Sequence, residues 1–472
     1  MSRGRYGGSG VRRWTLLALL AALVLTLAAV AAGCGGDDDE ASTTDTGAAS
    51  SDTGGSGGGE AIKIGHLSTC EGPFAPFYEN TVAGSMIPLI RRGGEAAGSK
   101  PSDGVTGAEV AGHPIELVFG CSDATPDKAA EEARRLVEQE NVDILIGPLS
   151  GSEGIAVAEY SKSQPDVTFV NGTSGAQDTT LKVQSPNFFR WNTEGAQWMA
   201  GLGDYAYNEL GWRNVVTLAD DYDFPYTQVA GFVAEFCSLG GTVEKRIWPP
   251  LGEEDYSSYI QQIPETDLDG FFLGVGGTGT LAFVRGYEEL GRGNLADKII
   301  AGSVAIDPVV LKEIGPRMEG VVSGSPVDAQ STDENYTSYI EDFTAAYPDV
   351  PGPESLFAVN NFDAMEATLQ SLEAVDGDIS DGGAKMREAM TGLTLEAPNG
   401  TITLDENRNA VGSNYLVQVG ELDSGDLGLK TLKEIPEVDQ TFGGAFSADT
   451  PTPDRKNPEC VKGDPPPWAS GG

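Results

Sequence analysis

Short apolar runs alternate with longer amphipathic segments along most of this chain. Ile62–Leu67, Pro114–Cys121 and Val142–Ile146 have the length and composition of buried strands. Between them, segments such as Asp127–Glu140 place Ala130, Ala133, Leu136 and Val137 on one side of a helix. Strands that are apolar throughout, separated by helices of this length, indicate parallel sheets with crossover helices.

The same pattern restarts after Phe188. We predict a helix over Glu194–Leu210, a strand at Asn214–Ala219 and further alternating elements as far as a closing hairpin of Thr401–Leu404 and Asn414–Val419. The tail from Pro451 is predicted to be irregular. A body of some 400 residues exceeds one hydrophobic core and fits two domains, so the pattern predicts two similar α/β halves.

The N-terminus has the parts of an export signal. Four arginines precede an apolar run from Trp14 to Ala32, and the run ends in Ala31-Ala32-Gly33-Cys34. This ending resembles a bacterial lipobox, which predicts a signal peptide over 1–33 and lipidation of Cys34. The alternative is a retained spanning helix, since the run is just long enough to cross a bilayer.

Residues 34–60 favour the lipoprotein interpretation. They consist mainly of Gly, Ser, Thr, Ala and acidic residues and contain no aromatic side chain, so we expect a flexible acidic tether. The predicted product is an extracytoplasmic globule held at the membrane by its lipid. Arg12-Arg13 leaves open whether export uses the general or the twin-arginine route.

The charge balance excludes one class of partner. The chain has 30 Lys and Arg against 71 Asp and Glu, a net charge of −41, and no basic stripe. Such a chain repels nucleic acid and anionic head groups, so we expect no nucleic-acid partner. The acidic residues themselves are interpreted as solvated surface.

Four cysteines remain after Cys34, and an even number in an exported chain predicts disulfides. If the strands beside them are neighbours, Cys70 pairs with Cys121, and Cys237 then pairs with Cys460. We expect no metal site, because paired-cysteine spacing is absent and the only histidines are His66 and His113.

Several predicted strands end in loops of small and hydroxylated residues. In open parallel sheets, ligands bind beyond these carboxyl ends, where loop side chains and helix N-termini converge. The loops are 68–77, 149–152, 172–175, 220–224, 274–279 and 302–304.

The motifs of the sequence are less consistent with an enzyme than with a binding protein. Gly274–Gly279 matches the spacing of a dinucleotide fingerprint, but Asp297, at the expected distance, precedes its strand, so we expect no cofactor. A serine hydrolase needs a base beside its nucleophile, and neither histidine is placed for this role. We therefore expect a protein that is not an enzyme, with an exported hydrolase as the remote alternative.

The order of motifs resembles the periplasmic branched-chain amino acid-binding protein family, the solute receptors of ABC importers. The resemblance extends from about Ala61 to Val419 and is carried by Ile62–Gly65, Glu71–Pro73, Asp123–Ala130, Val142–Pro148, Phe188–Arg190 and Ala397–Asp405. It implies a type I periplasmic binding fold: two Rossmann-like α/β lobes with parallel sheets, joined by three crossover segments. The implied division is 61–193 with 326–397 for lobe 1, 194–325 with 398–450 for lobe 2, and a tail over 451–472.

The resemblance also implies the ligand-binding residues. They are Phe77, Tyr78, Ser150, Gly151, Ser152, Thr173, Ser174, Gly175, Glu194, Asp221, Phe224, Gly276, Thr278 and Ser303. The family holds an amino acid's ammonium with a carboxylate of the second lobe, and Val304 stands near that position. Asp220, Asp221 or Asp223 would have to substitute, or the solute is an amide, a urea-like compound or an aromatic acid.

The resulting expectation is a monomeric, membrane-anchored protein that captures a small polar solute and delivers it to ABC permease subunits. A receptor that senses the solute without transport is the alternative that the sequence leaves open.

Overall fold

A computed structural model describes residues 59–469 of the chain. The predicted signal peptide, the lipidation site Cys34 and all but the end of the tether lie outside the described residues. Within residues 59–469, no helix is both long and apolar enough to span a bilayer.

The first sheet is parallel except for one short edge strand. In spatial order its strands are Glu109–Val110, His113–Ser122, Ile62–Thr69, Ile144–Ile146, Thr168–Val170 and Phe188–Phe189. Side chains of the central strands are buried on both faces, because helices cover both sides of the sheet. This arrangement explains why these strands are apolar throughout rather than alternating.

The second sheet begins parallel and ends antiparallel. In spatial order its strands are Thr242–Ile247, Asn214–Ala219, Gly270–Gly274, Ile299–Ala301, Val322–Ser325, Ala410–Glu421, Gly400–Leu404 and Leu395–Ala397, and Leu427–Val438 also pairs with Ala410–Glu421. Pairing becomes antiparallel from Val322–Ser325 onward. A separate two-stranded ribbon joins Glu95–Ala96 to Val105–Thr106, between helix Tyr78–Arg91 and strand Glu109–Val110.

The helices lie between and over the sheets. The α-helices are Tyr78–Arg91, Pro126–Arg134, Gly151–Ser161, Asp178–Leu181, Leu202–Asp204, Asp223–Ser238, Ser257–Ile260, Thr278–Glu289, Pro308–Ile314, Glu334–Ala346, Leu356–Glu373 and Ala384–Thr391. Single π-helical segments, Arg135–Gln139 and Tyr205–Glu209, continue two of them. Helix Leu356–Glu373 packs along Tyr78–Arg91 and so belongs to the first lobe.

The chain passes between the two sheets three times: after Phe189, after Ser325 and before Leu395. The two-lobed type I periplasmic binding fold with three crossover segments, predicted above, is therefore the fold of this protein. Strand Leu395–Ala397 already pairs in the second sheet, slightly earlier than the lobe boundary given above.

A buried polar network supports the crossovers. The Arg190 guanidinium donates to the Asn409 side chain at 2.6 Å and to the Ala176 carbonyl at 2.7 Å. Asn409 in turn donates to Gln197 at 2.9 Å. These bonds tie the last strand of the first sheet to the start of the first crossover and to the late strand Ala410–Glu421.

Two predictions of local structure are wrong. The segment 194–210 is not one helix: it divides at Gly201, whose φ of +88° lies in the left-handed region that favours glycine. Strand Leu427–Val438 was not predicted, because at the sheet's edge it carries exposed Lys430, Lys433 and Glu434 among its apolar residues.

The structure joins Cys70 to Cys121 and Cys237 to Cys460, which are the two predicted pairs. The first bridge links the ends of paired parallel strands, since Ser68 lies opposite Cys121. The second ties the C-terminal segment to helix Asp223–Ser238.

Candidate functional site

A cavity lies between the lobes, at the carboxyl ends of strands from both sheets. Its empty space, which includes volume open to solvent, is about 250 Å³. Its lining residues are Phe74, Leu149, Ser150, Gly151, Thr173, Gly175, Trp198, Tyr222, Phe224, Val304 and Phe357. We call it the cleft cavity.

On the first lobe, the loop after strand Ile144–Ile146 is held in place by a buried carboxylate. Glu153 accepts hydrogen bonds from the Ser150 N–H at 2.9 Å, the Ala124 N–H at 3.0 Å and the Thr69 hydroxyl at 3.1 Å. Burial raises the pKa of Glu153, while these donors favour its charged form. The loop is therefore fixed before any ligand arrives.

Ser150 and Gly151 begin helix Gly151–Ser161 and face the cleft cavity. Ser150 is 2% exposed and forms a capping box with Glu153, in which its side-chain oxygen faces the Glu153 N–H, and its hydroxyl hydrogen has no acceptor among the described residues. N–H groups of a first helical turn lack intrahelical partners and favour negative charge. This corner therefore offers unused donors to an anionic or strongly polar group.

The second first-lobe loop follows strand Thr168–Val170 and is organised by Asn171. The Asn171 side chain donates to the Ser174 carbonyl at 3.0 Å and accepts from the Ser174 hydroxyl at 2.6 Å. Thr173 faces the cavity, and its hydroxyl oxygen accepts a hydrogen bond from Asn361 at 2.7 Å. The Thr173 hydroxyl hydrogen thus remains available to a solute.

Aromatic rings form most of the remaining wall. Tyr222 lies 6.3 Å from Phe74 and 6.3 Å from Phe224, measured between ring centroids, and Trp198 lies 5.4 Å from Phe224. Phe357, at the start of helix Leu356–Glu373, packs on Phe77 at 4.3 Å. Such a surface favours the apolar or aromatic body of a ligand.

None of the second lobe's nearby carboxylates is free to bind an ammonium. Asp220 is fully buried and accepts from the Gly276 N–H at 2.9 Å and the Tyr256 hydroxyl at 3.3 Å. Burial raises the pKa of Asp220 to about 8, so it is largely protonated at neutral pH. Asp221 pairs with Arg455.

Asp223 is occupied too, because it accepts a hydrogen bond from Ser152 across the cleft at 2.5 Å. Other bonds between the lobes include those in which the Gln177 N–H donates to Thr227 at 3.2 Å and Ser355 donates to Asp307 at 2.8 Å. A Cβ on Gly151 would come 2.7 Å from the Phe224 Cβ. The lobes thus meet closely around the cavity.

Some of the predicted ligand-binding residues line the cleft cavity, and others do not. Those that line it are Ser150, Gly151, Thr173, Gly175 and Phe224. Those outside its lining are Phe77, Tyr78, Ser152, Ser174, Glu194, Asp221, Gly276, Thr278 and Ser303. Most of the second set has other partners: Ser174 turns to Asn171, and Ser303 accepts from Gln228 at 2.9 Å.

Glu194 and Gly276 do not line the cavity and form hydrogen bonds within the protein instead. The Glu194 carboxylate accepts the Ala196 N–H at 2.8 Å, and burial raises its pKa to about 7. The Gly276 N–H is the donor to Asp220. Phe77 and Thr278 border a separate groove with Val309 and Pro351.

Sequence reasoning missed most of the aromatic wall. Phe74 and Tyr222 lie within loops that the sequence marked, but the pattern did not show which side chain faces inward. Trp198 was assigned to a continuous helix, and Phe357 is far from the other lining residues in the chain. Val304 was identified only as the position where the family places an acid.

The histidines and cysteines do not form a chemical centre at this site. His66 is fully buried with its Nε2 3.0 Å from the Ser85 hydroxyl, and His113 binds the Glu60 carbonyl at 2.8 Å. Within residues 59–469, the one cluster with metal-ligand types is Cys70, Glu71 and Cys121, and its two cysteines are joined in a disulfide.

Comparisons with known proteins agree with this geometry. A Leu/Ile/Val-binding protein homologue from Brucella melitensis is 24% identical over 78% of this chain and 89% of its own length. An ABC transporter substrate-binding protein from Sphaerobacter thermophilus is 26% identical, with a TM-score of 0.70 over 80% of this chain and 99% of that one. A solute-binding protein from R. palustris, solved with benzoate, is 24% identical, with a TM-score of 0.70 over 80% and 97%.

The family assignment rests on a longer match. The profile of the periplasmic binding proteins covers residues 61–426, which include the first sheet, all of the second sheet except strand Leu427–Val438, and every residue that lines the cleft cavity. The resemblance to branched-chain amino acid-binding proteins is confirmed, and the chain belongs to the periplasmic binding protein family.

Proposed function

We propose that this protein is an extracytoplasmic solute-binding lipoprotein that holds a small carboxylic acid with an apolar, preferably aromatic, body in the cleft cavity. The carboxylate binds at Ser150, Gly151 and Thr173. The body lies among Phe74, Trp198, Tyr222, Phe224 and Phe357. Binding is non-covalent, and the solute passes to an ABC importer.

The composition of the lining carries this proposal. Among the described residues, the cavity wall contains no Asp, Glu, Lys or Arg, and the pKa of Tyr222 is raised well above its usual value by burial. An α-ammonium buried here would have no carboxylate partner, which costs several kcal/mol. A carboxylate, by contrast, meets a helix N-terminus and a hydroxyl hydrogen that has no acceptor among the described residues.

The names of the relatives support both an apolar body and an acid that lacks an ammonium group. The Brucella relative carries the name of a Leu/Ile/Val-binding protein homologue, which fits an apolar body attached to a carboxylate. The R. palustris structure holds benzoate, an acid without an ammonium group.

A thermal-shift panel tests the solute class. Benzoate and 4-hydroxybenzoate should raise Tm, because a ligand that binds only the folded state stabilises it. Benzamide, which lacks the charge, and leucine, which adds an ammonium, are the controls. Stabilisation by leucine alone would overturn the proposed class. Mass spectrometry of small molecules released from freshly purified protein identifies the natural solute.

Anchoring is a separate part of the proposal. Intact mass analysis of membrane-extracted protein should show a chain that begins at Cys34 and carries lipid. Cys34→Ser is the control, which should lose the lipid and enter the soluble fraction. A full-length chain starting at Met1 would instead support a retained spanning segment.

Delivery requires a transport measurement. Cells that lack this protein should lose uptake of the labelled solute and regain it when the gene is restored. Unchanged uptake, with a changed transcriptional response to the solute, would favour the sensory alternative. We further propose that the protein acts as a monomer, with lobes divided close to residues 193, 325 and 397.

A further inference from the structure

The C-terminal segment 451–469 lies beyond the part of the chain that matches the family, which ends at residue 426. It has no regular secondary structure, yet it is fixed to the second lobe. Cys460 is bonded to Cys237, and the Trp248 indole N–H donates to the Arg455 carbonyl at 3.2 Å. Arg246 also donates to the Pro458 carbonyl.

This segment reaches the loop that follows strand Asn214–Ala219. The Arg455 Nε donates to Asp221 Oδ1 at 2.7 Å, and its Nη2 contacts Oδ2 of the same carboxylate. The pair is therefore a two-point contact, which fixes orientation as well as distance. The Tyr226 hydroxyl also donates to Asp221, and the Asp221 N–H donates to the Pro249 carbonyl at 2.9 Å.

The next residue in the chain, Tyr222, lines the cleft cavity. Its backbone is extended, with φ −157° and ψ 176°, at the start of helix Asp223–Ser238. Its ring lies between Phe74 of the first lobe and Phe224 of the second. A carboxylate clamped one residue before Tyr222 therefore limits where this ring can go.

We propose that Arg455, in the C-terminal segment, is a positioning residue of the solute site: its two-point contact with Asp221 fixes the Tyr222 ring against the bound solute. The inference rests on the proposed function of the cleft cavity. It also gives the C-terminal segment a role in affinity, although no residue of that segment lines the cavity.

The same segment contacts the first lobe. The Lys182 ammonium donates to the Thr452 hydroxyl at 2.7 Å. The segment thus extends from the disulfide at Cys460, past the Asp221 loop, to the first lobe, and Arg455 lies in the middle of this path.

The test compares Arg455→Gln with Lys456→Gln, an exposed neighbour of equal charge in the same segment. Calorimetry with benzoate should give a Kd about two- to fivefold higher for Arg455→Gln, because exposed charge pairs are individually weak. Lys456→Gln should leave Kd unchanged. Arg455→Lys should restore part of the loss, since it keeps the charge but not the two-point contact.

A double-mutant cycle with Asp221→Asn separates positioning from a general loss of stability. Adding Arg455→Gln to Asp221→Asn should weaken benzoate binding no further. Full additivity of the two losses would overturn the inference, as would an unchanged Kd in Arg455→Gln.

Hydrogen exchange without ligand keeps the inference distinct from the proposed function. Exchange at the Asp221 and Tyr222 amides should quicken in Arg455→Gln and not in Lys456→Gln. If the wild-type protein binds no acid in the panel, the proposed function fails, and the exchange result still decides whether Arg455 holds this loop. Unchanged exchange overturns the inference in either case.

Discussion

The two sides of the cleft cavity differ in chemistry. The first-lobe loops present Ser150, Gly151 and Thr173, of which the Ser150 hydroxyl hydrogen has no acceptor among the described residues. The second lobe presents Tyr222, Phe224 and Val304, and its acids are each occupied elsewhere. The polar donors come from the first lobe, which also contributes Phe74, Leu149 and Phe357, whereas the second lobe contributes only apolar and aromatic side chains.

This difference shows how one fold changes its ligand without changing its architecture. Both sides use loops at the carboxyl ends of parallel strands, so the backbone supplies equivalent positions in each lobe. What distinguishes them is whether the loops present hydroxyl and backbone N–H groups to the cleft or only apolar and aromatic side chains. The asymmetry predicts a solute recognised by charge at one end only.

The largest effect should come from placing a charge on the apolar side. Val304→Asp would bury a carboxylate without a partner and should weaken benzoate binding about a hundredfold or more. Val304→Asn, of similar shape but neutral, should lose much less. Equal losses in the two variants, measured by calorimetry, would show that a negative charge on the second lobe does not itself oppose binding of the acid.

A smaller loss should follow from Gly151→Ala, which forces the two sides apart. The added Cβ would come 2.7 Å from the Phe224 Cβ and 3.0 Å from the Phe224 backbone N. Overpacking of about 1–3 kcal/mol corresponds to roughly a ten- to hundredfold weaker Kd.

Gly392→Ala is the matched control, because the nearest atoms to its Cβ would lie 3.8 Å and 3.9 Å away, in ordinary contact. Similar affinities in the two variants would show that the close approach of the lobes at Gly151 does not matter for binding.

On the polar side, Ser150→Ala should weaken binding about tenfold, the value of a hydrogen bond to a charged group. Tm without ligand should fall modestly, because the variant also removes the side chain that caps helix Gly151–Ser161. Ser68→Ala is the control, because Ser68 is also buried with an unpartnered hydroxyl but does not line the cavity. A fall in Tm with unchanged Kd would contradict the assigned role.

The smallest effect concerns pH and the acid behind the aromatic wall. The pKa of Asp220 is raised from 3.8 to about 8, so the folded chain keeps a proton that the unfolded chain releases near pH 4. Its contribution to the free energy of unfolding is therefore lost as pH rises from about 4 to 8. The drop in Tm between pH 5.5 and 8.5 should be smaller in Asp220→Asn, by about 2–4 °C.

Asp349→Asn, at an exposed acid, is the control for that titration and should follow the wild type. An identical pH profile in Asp220→Asn would mean that Asp220 is ionised in the folded protein. The second-lobe side of the cleft would then carry a negative charge, which the comparison of the two sides excludes.

The sequence predicted the fold well because a strand that is buried on both faces is mainly apolar, and such a run can be recognised in the sequence. Strand Asn214–Ala219, for example, is mainly apolar and was located at its observed bounds. Strand Leu427–Val438 lacks a mainly apolar run, since only some of its side chains are buried. Gly201 divides a predicted helix through a backbone angle that its sequence neighbours do not reveal.

The site was predictable at the level of loops and not of side chains. Which residue of a loop faces inward depends on the hydrogen bonds that fix it, as with Ser174, which turns to Asn171 while Thr173 faces the solute space. Phe357 reaches the cavity only because helix Leu356–Glu373 packs on the first lobe. Such contacts join distant parts of the chain, and a single sequence does not record them.

The bridge between Cys237 and Cys460 spans 223 residues of sequence and closes a covalent ring that passes through both lobes. A protease that cuts the backbone once inside this ring leaves the two pieces attached to each other. A nicked molecule would therefore run as one band on a gel until a reductant is added. For a receptor exposed outside the cell membrane, a single such cut need not release either lobe.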